Sequence, residues 1–165
     1  MTVARRMVLA ILLAAAAAAA AGCGFHLRGA LELPANVRTV YVSASDELSP
    51  FVVQLKQELV AAGATLAVVP DGADATVRVT EDRTGRRVLS VNARNTPQEY
   101  QVYYVVGYSI DRGQAQAVPT QQLELFRDYS FSESDLLAKN REEDILREAI
   151  ARDLAVLVVR RLASL

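Results

Sequence analysis

The sequence predicts an α+β fold, a two-layer sandwich in which two helices pack on a mainly antiparallel four-stranded sheet. Residues 50–62 and 135–162 repeat apolar residues at spacings of three and four, which is typical of amphipathic helices. Between them, apolar and polar residues alternate over 75–80 and 98–110, which indicates half-buried strands. A sheet that is covered by helices on one face leaves its other face to water or to a partner.

The N-terminal segment has the layout of a secretory signal. Arg5 and Arg6 form a short positive region, residues 7–21 are an uncharged apolar run, and small residues lead into Cys23. The run is shorter than the roughly 20 residues that a transmembrane helix needs. The junction resembles a bacterial lipobox, so we predict that residues 1–22 are a lipoprotein signal peptide and that Cys23 is the lipidated first residue.

Two other interpretations of Cys23 stay open. The first is an ordinary secretory signal that is followed by an incidental thiol. The second pairs Cys23 with His26, the only histidine, as a nucleophile and its base. A nucleophile this close to a new N-terminus would lack walls that exclude water, so the lipid anchor is preferred. By resemblance to bacterial lipoproteins, Gly24 after the cysteine favours sorting to the outer membrane.

Length and charge narrow the class of the mature chain. Removal of the signal leaves 143 residues, 16 of them Lys or Arg and 19 Asp or Glu, with a net charge of −3. Such a chain is long enough for one domain with a core, and its charge excludes a general nucleic-acid binder. A single cysteine allows no disulfide framework. We predict a lipidated segment over 23–36 and a single domain over 37–165.

The first strand and the first helix have clear boundaries. Residues 37–42 are rich in β-branched side chains and predict a strand. Ser49 and Pro50 are typical of a helix N-cap and first helical residue, and Gly63 is typical of a helix end. The short apolar run 65–69 could pair in parallel with the first strand.

The middle of the chain predicts successive strands. After the strand at 75–80, residues 82–87 form either a turn or a bulge within one long strand that continues to Val91. Residues 92–97 are a turn by composition. The strongest strand covers 98–110, and residues 121–131 return beside it.

The strongest strand carries four tyrosines. Most of them are predicted to be ordinary sheet residues with their hydroxyls at the rim, and the alternative is a partner interface, where tyrosine is enriched. The four are Tyr100, Tyr103, Tyr104 and Tyr108.

The last segment predicts a long helix from Asp135 to about Leu162. Its apolar stripe consists of Leu146, Ile150, Leu154, Leu157 and Val158. The acidic run 142–144 is predicted to be a solvated helix face rather than a paired acid–base site. With a single imidazole near the anchor and no phosphate-binding glycine motif, the sequence predicts no enzyme, no cofactor and no metal site.

Three stretches together resemble the LPS-assembly lipoprotein family, LptE (also called RlpB). They are CGFHLRG at 23–29, LSVNARNTPQEYQVYYVVGYSI at 89–110, and the terminal segment that begins at Ser134. The resemblance implies an outer-membrane lipoprotein that faces the periplasm and plugs the lumen of the β-barrel LptD. It further implies help in assembling that barrel and in delivering lipopolysaccharide to the outer leaflet.

The resemblance also bears on site residues. Lipopolysaccharide carries phosphates, so its binding requires cations, and the basic positions of the family correspond best to Lys139 and Arg94. A solvated surface charge is the simpler interpretation of each. Two alternative functions remain at this point: a lipid-anchored periplasmic accessory or chaperone that enters no barrel, and an acid-only hydrolase that would use Glu142, Glu143 and Asp144.

Overall fold

The structure is a computed structural model that describes residues 31–130 and 136–165, with side chains in the second range from Arg141 onward. The predicted signal peptide and Cys23 lie outside the described residues. The elements follow in the order β1 (Thr39–Ser43), α1 (Pro50–Ala61), β2 (Thr65–Leu66), β3 (Ala75–Val91), β4 (Pro97–Arg112), β5 (Ala115–Ser130) and α2 (Leu136–Ala163). Within the described part, no helix is both long and apolar enough to span a membrane.

Two helices pack on one face of a mixed sheet of five strands in the order β2-β1-β3-β4-β5. The α+β class is confirmed, but the prediction of four mainly antiparallel strands is wrong in number and in type. β1 is parallel to both of its neighbours, whereas β3, β4 and β5 form an antiparallel meander. The fifth strand is β2, whose two residues are too few to show a period.

Helix α1 begins and ends where its sequence predicts. The Ser49 side chain accepts the N–H of Val52 at 3.2 Å, Pro50 is the first helical residue, and Gly63 follows the helix with φ +89°. Between them, Phe51 and Leu55 are fully buried. The chain then returns in parallel to β1, so the predicted parallel pairing of the run at 65–69 is confirmed for Thr65–Leu66.

Strand β3 is continuous through the segment that was expected to contain a turn or a bulge. Residues 82–87 pair without interruption with 106–101 of β4; one register shift lies just before them, at Thr80, and two more lie between Val88 and Val91. One extra residue in a strand exchanges the two faces beyond it. Below the bulge, Val77 and Val79 face the helices; above it, the even-numbered residues Asp82 and Arg86 do.

Gly107 lies opposite this bulge. A Cβ atom at Gly107 would lie 2.7 Å from the Thr80 hydroxyl and 3.0 Å from the Glu81 Cβ. A side chain at position 107 would therefore clash with Thr80 and Glu81 of the bulge, which favours glycine there.

The described molecule has two ends, which we name the base and the tip. At the base, the N–H of Leu33 donates to Ala62, and the Arg112 guanidinium donates to the carbonyls of Leu165 and Asn36. At the tip lie the turn that joins β3 to β4 and the start of α2. Because β3 has 17 residues that rise about 3.3 Å each, base and tip are about 55 Å apart.

The helices cover the two ends unequally. α1 packs against α2, β1 and β2, and its N-cap Ser49 reaches the side chain of Asp82 midway along β3. Only α2 continues over the meander toward the tip. Its buried stripe differs from the predicted one because Leu157 is 36% exposed and Glu143 is buried. The residues of α2 that are fully buried against the core are Ile150, Ala151, Leu154, Ala155, Val158, Val159 and Leu162.

A carboxylate joins the starts of β1 and β3. The Asp74 Oδ2 accepts the backbone N–H groups of Arg38 and Thr39, both at 2.8 Å, and the Asp74 N–H donates to the Thr39 carbonyl. The hydrogen bonds from Thr39 and Arg38 lower the pKa of Asp74 below its ordinary value of 3.8. The stabilisation is therefore complete above that ordinary pKa and is lost as the pH falls through the lower folded-state pKa.

Asp74→Asn should lower the melting temperature at neutral pH, and the difference from the native chain should shrink as the pH falls below 3.8, the ordinary pKa of this carboxyl. The amide keeps the shape of the carboxylate but does not titrate. Thermal melts across the acid range measure the difference, with Asp71→Asn, in the same exposed loop, as the control. A difference that is equal at pH 3 and pH 6 would contradict the role of this carboxylate.

Candidate functional site

The two basic residues that were predicted to bind lipopolysaccharide both belong to the tip. Arg94 is exposed in the turn between β3 and β4, where its N–H donates to the Asn92 side chain at 2.9 Å. Lys139 lies in the first turn of α2, and its side chain is outside the described residues. Tertiary structure thus brings to one end two positions that are 45 residues apart in the sequence.

Tyr104 and Tyr108 are not interface residues, which corrects part of the prediction. They are 1% and 2% exposed, on the face of β4 that the helices cover. The Tyr104 hydroxyl accepts the N–H of Phe51 at 3.2 Å, and burial raises the pKa of both tyrosines. The predicted alternation of side chains between the two faces of β4 is confirmed, but alternation does not indicate which face the helices cover.

Tyr100 and Tyr103 lie on opposite faces near the tip. Tyr100 is half-buried on the helical face, stacked on Tyr129 with ring centroids 5.8 Å apart, and the Arg86 guanidinium lies 5.1 Å from its ring. Tyr103 is half-buried on the other face, over Gly85, where a Cβ atom would lie 2.6 Å from the tyrosine hydroxyl. Of the four tyrosines of β4, Tyr103 is therefore the one that faces away from the helices.

A buried carboxylate fastens α2 to the meander near the tip. Glu143 is 8% exposed; its Oε2 accepts the Arg86 Nη1 at 2.8 Å and the Tyr129 hydroxyl at 3.0 Å, and its Oε1 accepts Arg147. The hydrogen bond with Glu143 raises the pKa of Arg86. The pKa of Tyr129 is raised mainly by burial and secondly by the hydrogen bond to Glu143.

The prediction of a solvated acidic run is therefore wrong at Glu143. The sequence contained a signal for this, because Glu143 lies three and seven residues before Leu146 and Ile150 of the apolar stripe. Such spacing places Glu143 on the buried side of the helix, where a charge needs partners on the sheet. Arg86, which faces α2 because the bulge turns the even-numbered residues of β3 toward the helices, supplies one.

The face of the meander that the helices leave uncovered, which we name the open face, is polar and aromatic. Arg87 donates to the Gln101 side chain at 2.7 Å, and Gln101 donates to Asp128 at 2.6 Å, so one polar chain crosses three strands. Beside it, Tyr103 lies directly opposite Phe126, which is 51% exposed. This arrangement offers an aromatic centre within a charged surround, which is typical of a protein interface.

The described residues offer no metal site, because no three His, Cys, Asp or Glu side chains among them are grouped to hold an ion. The Glu143 cluster consists of one carboxylate that accepts hydrogen bonds from two guanidinium groups and a phenol, which is not the donor set of a metal site. What the arrangement can do is hold a helix, present a charged face and expose cations at the tip.

Glu143→Gln should lower the free energy of unfolding by about 2 kcal/mol, because Arg86 and Arg147 lose a buried anionic partner. The value is below that of a fully buried pair because the Arg86 side chain is 48% exposed. Urea unfolding measures the loss, with the exposed Glu148→Gln on the same helix as the control. Equal stability of the two variants would show that the cluster does not fasten α2.

Solved structures share this fold. The crystal structure of the rare lipoprotein B from Shewanella oneidensis matches with a TM-score of 0.68 and 21% identity over 77% of this chain and 95% of that chain. The solution structure of a lipoprotein B from Nitrosomonas europaea matches with a TM-score of 0.69 and 23% identity over 86% and 91%. At these identities the likeness shows the fold alone.

Sequence comparison extends the likeness along the chain. The LPS-assembly lipoprotein LptE of Pectobacterium atrosepticum is 26% identical over an alignment of 167 positions, which covers 98% of this chain and 88% of the relative. The family model LptE, described as lipopolysaccharide-assembly, matches residues 37–162. The family is non-enzymatic, which confirms the prediction that the chain is not an enzyme. A match across nearly all of the folded chain, together with the shared fold, shows that this chain belongs to the LptE family of envelope lipoproteins.

Proposed function

We propose that the chain is an outer-membrane lipoprotein, anchored through Cys23, that plugs the LptD β-barrel and helps to assemble it. In that position it assists the delivery of lipopolysaccharide to the outer leaflet. The observation that carries this proposal is the separation of the base, where the chain enters the fold, from the basic tip. The name of the Pectobacterium relative, an LPS-assembly lipoprotein, supports the same role.

The dimensions support a plug that is tethered at one membrane surface. Cys23 and Leu31 are eight residues apart, so the tether spans at most about 28 Å. The base therefore stays near the leaflet that holds the lipid, while the tip reaches about 55 Å beyond it. The apolar band of an outer-membrane barrel is only about 25 Å tall, so a domain of this length can extend through the lumen.

The open face supports contact with a barrel wall. The lumen of a large barrel is lined by polar side chains, and a domain that fills it needs a polar surface with some aromatic anchors. Tyr103 and Phe126 supply the anchors, and Arg87 and Asp128 supply charge in the neighbouring cross-strand row through Gln101. A large permanent interface of this kind is expected to bury more than the roughly 1,600 Å² of a standard complex.

The tip supports contact with lipopolysaccharide phosphates. Among the described side chains, none forms an ion pair with Arg94, so its guanidinium is available to an anion. Lys139 lies near the start of α2, where a cation opposes the helix dipole, so a structural role explains it poorly. Two cations at one end of the domain can bind phosphate groups of one ligand.

Phe126→Arg should sharply lower the amount of barrel protein that co-purifies with the chain in mild detergent, because it replaces an aromatic anchor of the open face. Mass spectrometry after a pulldown from outer membranes measures the ratio, which we expect to be near one for the native chain. Val60→Arg, an equally exposed position on α1, is the control. If no larger barrel protein accompanies the native chain, the accessory or chaperone function replaces the plug.

Lys139→Asp and Arg94→Asp should each weaken lipopolysaccharide binding by roughly tenfold, which corresponds to the loss of one charge-assisted contact. Neither should lower the melting temperature, and Lys139→Asp improves the match with the helix dipole. Binding of labelled lipopolysaccharide to purified variants measures the effect, with Arg160→Asp, at the base end of α2, as the control. Unchanged binding by a folded variant would remove that residue from the site.

A further inference from the structure

The outer edge of β5 is a long strand edge without a neighbour among the described residues. β5 is the last strand in the sheet order, and its 16 residues contrast with the two residues of β2 at the opposite edge. From Gln121 to Ser130 it pairs with β4 without a register shift; the irregular pairing and Pro119 both lie below this stretch. Natural sheets protect such an edge with a bulge, a proline, a very short strand or charged side chains, and of these the stretch from Gln121 to Ser130 has only charged side chains.

On the helical side of this edge lies an apolar shelf. Leu123 and Leu125 are half-buried, and Leu157 of α2 is 36% exposed although its spacing predicts a buried residue. Asp153, one turn before Leu157, is paired with Arg127 of β5 at 2.7 Å. Residues four apart share a helix flank, so Leu157 faces the same edge. The shelf is therefore apolar surface that one more strand would cover.

On the open-face side, the same edge is acidic. Glu124 and Asp128 flank the exposed Phe126, and these three residues lie opposite Val105, Gln101 and Tyr103 of β4. Arg127, which lies between them, points to the helical face and is engaged with Asp153. A strand added to this edge would therefore place its open-face side chains beside two carboxylates.

We propose that the edge of β5 from Gln121 to Ser130 is a strand-addition site for an extended peptide segment of alternating character. Its apolar residues cover the Leu157 shelf, and its basic residues face Glu124 and Asp128. In such complexes, main-chain hydrogen bonds supply affinity and alternate side chains supply specificity. A second copy of this chain fits less well because pairing of β5 with itself brings two acidic rows together. The site does not depend on the proposed plug or on lipopolysaccharide.

The probe is a labelled peptide of about ten residues that alternates valine and lysine, added to the full-length chain in detergent. We expect it to bind and to slow amide hydrogen exchange in β5 but not in α1, because added backbone hydrogen bonds protect only the edge. A peptide of the same composition, with its valines and lysines in two blocks, should bind at least about fivefold more weakly.

A charge reversal at Glu124 tests whether the basic residues of the added strand lie on the open-face side of β5. Glu124→Lys should weaken binding of the valine–lysine peptide by about fivefold and strengthen binding of a valine–glutamate peptide by a similar factor. Glu148→Lys carries the same charge change on the flank of α2 near Arg152, which bonds to Gln54 of α1, and should do neither. Three results would overturn the proposal. They are peptide binding that does not slow amide exchange in β5, equal changes in peptide affinity for Glu124→Lys and Glu148→Lys, and self-association of the chain through β5 with no peptide bound.

Discussion

The structure depends on covering one face of a meander that is longer than the rest of the molecule. β3, β4 and β5 have 16 or 17 residues each, whereas β1 has five and α1 has 12. Near the base, two helices share the apolar face; near the tip, α2 is alone. A single helix cannot bury the full width of three strands, so the tip relies on an ion pair and stacked rings where the base relies on aliphatic packing.

This division explains which parts of the fold were predictable. Ser49, Pro50 and Gly63 mark α1 through local capping chemistry, which sequence reports directly. No residue near Thr80 in the sequence indicates a bulge; the residue that fits it is Gly107 on β4, which leaves room for the side chains of Thr80 and Glu81. β2 was foreseen only as an option because two residues show no period, and the four-strand count was wrong for this reason.

The candidate site was only partly predictable, because its residues meet through tertiary structure. That Tyr104 would be buried and Tyr103 would face outward depends on which face the helices cover, which alternation alone does not state. Glu143 is the clearest case of a wrong prediction. Its acidic neighbours in the sequence suggest a solvated helix face, but its position on the helix places it in line with the apolar stripe. Family membership shows the lipopolysaccharide-assembly class, and the residue-level geometry supplies the proposals about the tip and the open face.

The bulge at Thr80 separates the molecule into two parts that can vary independently in evolution. Below it, β3 pairs with β1 and faces the helices with its odd-numbered residues, and from Asp82 to Val88 it pairs with β4 in a register that is shifted by one residue. The upper hairpin could therefore gain or lose one pleat, two residues in each strand, without disturbing the base. Relatives with taller or shorter hairpins would keep the same base, and only the distance from base to tip would change.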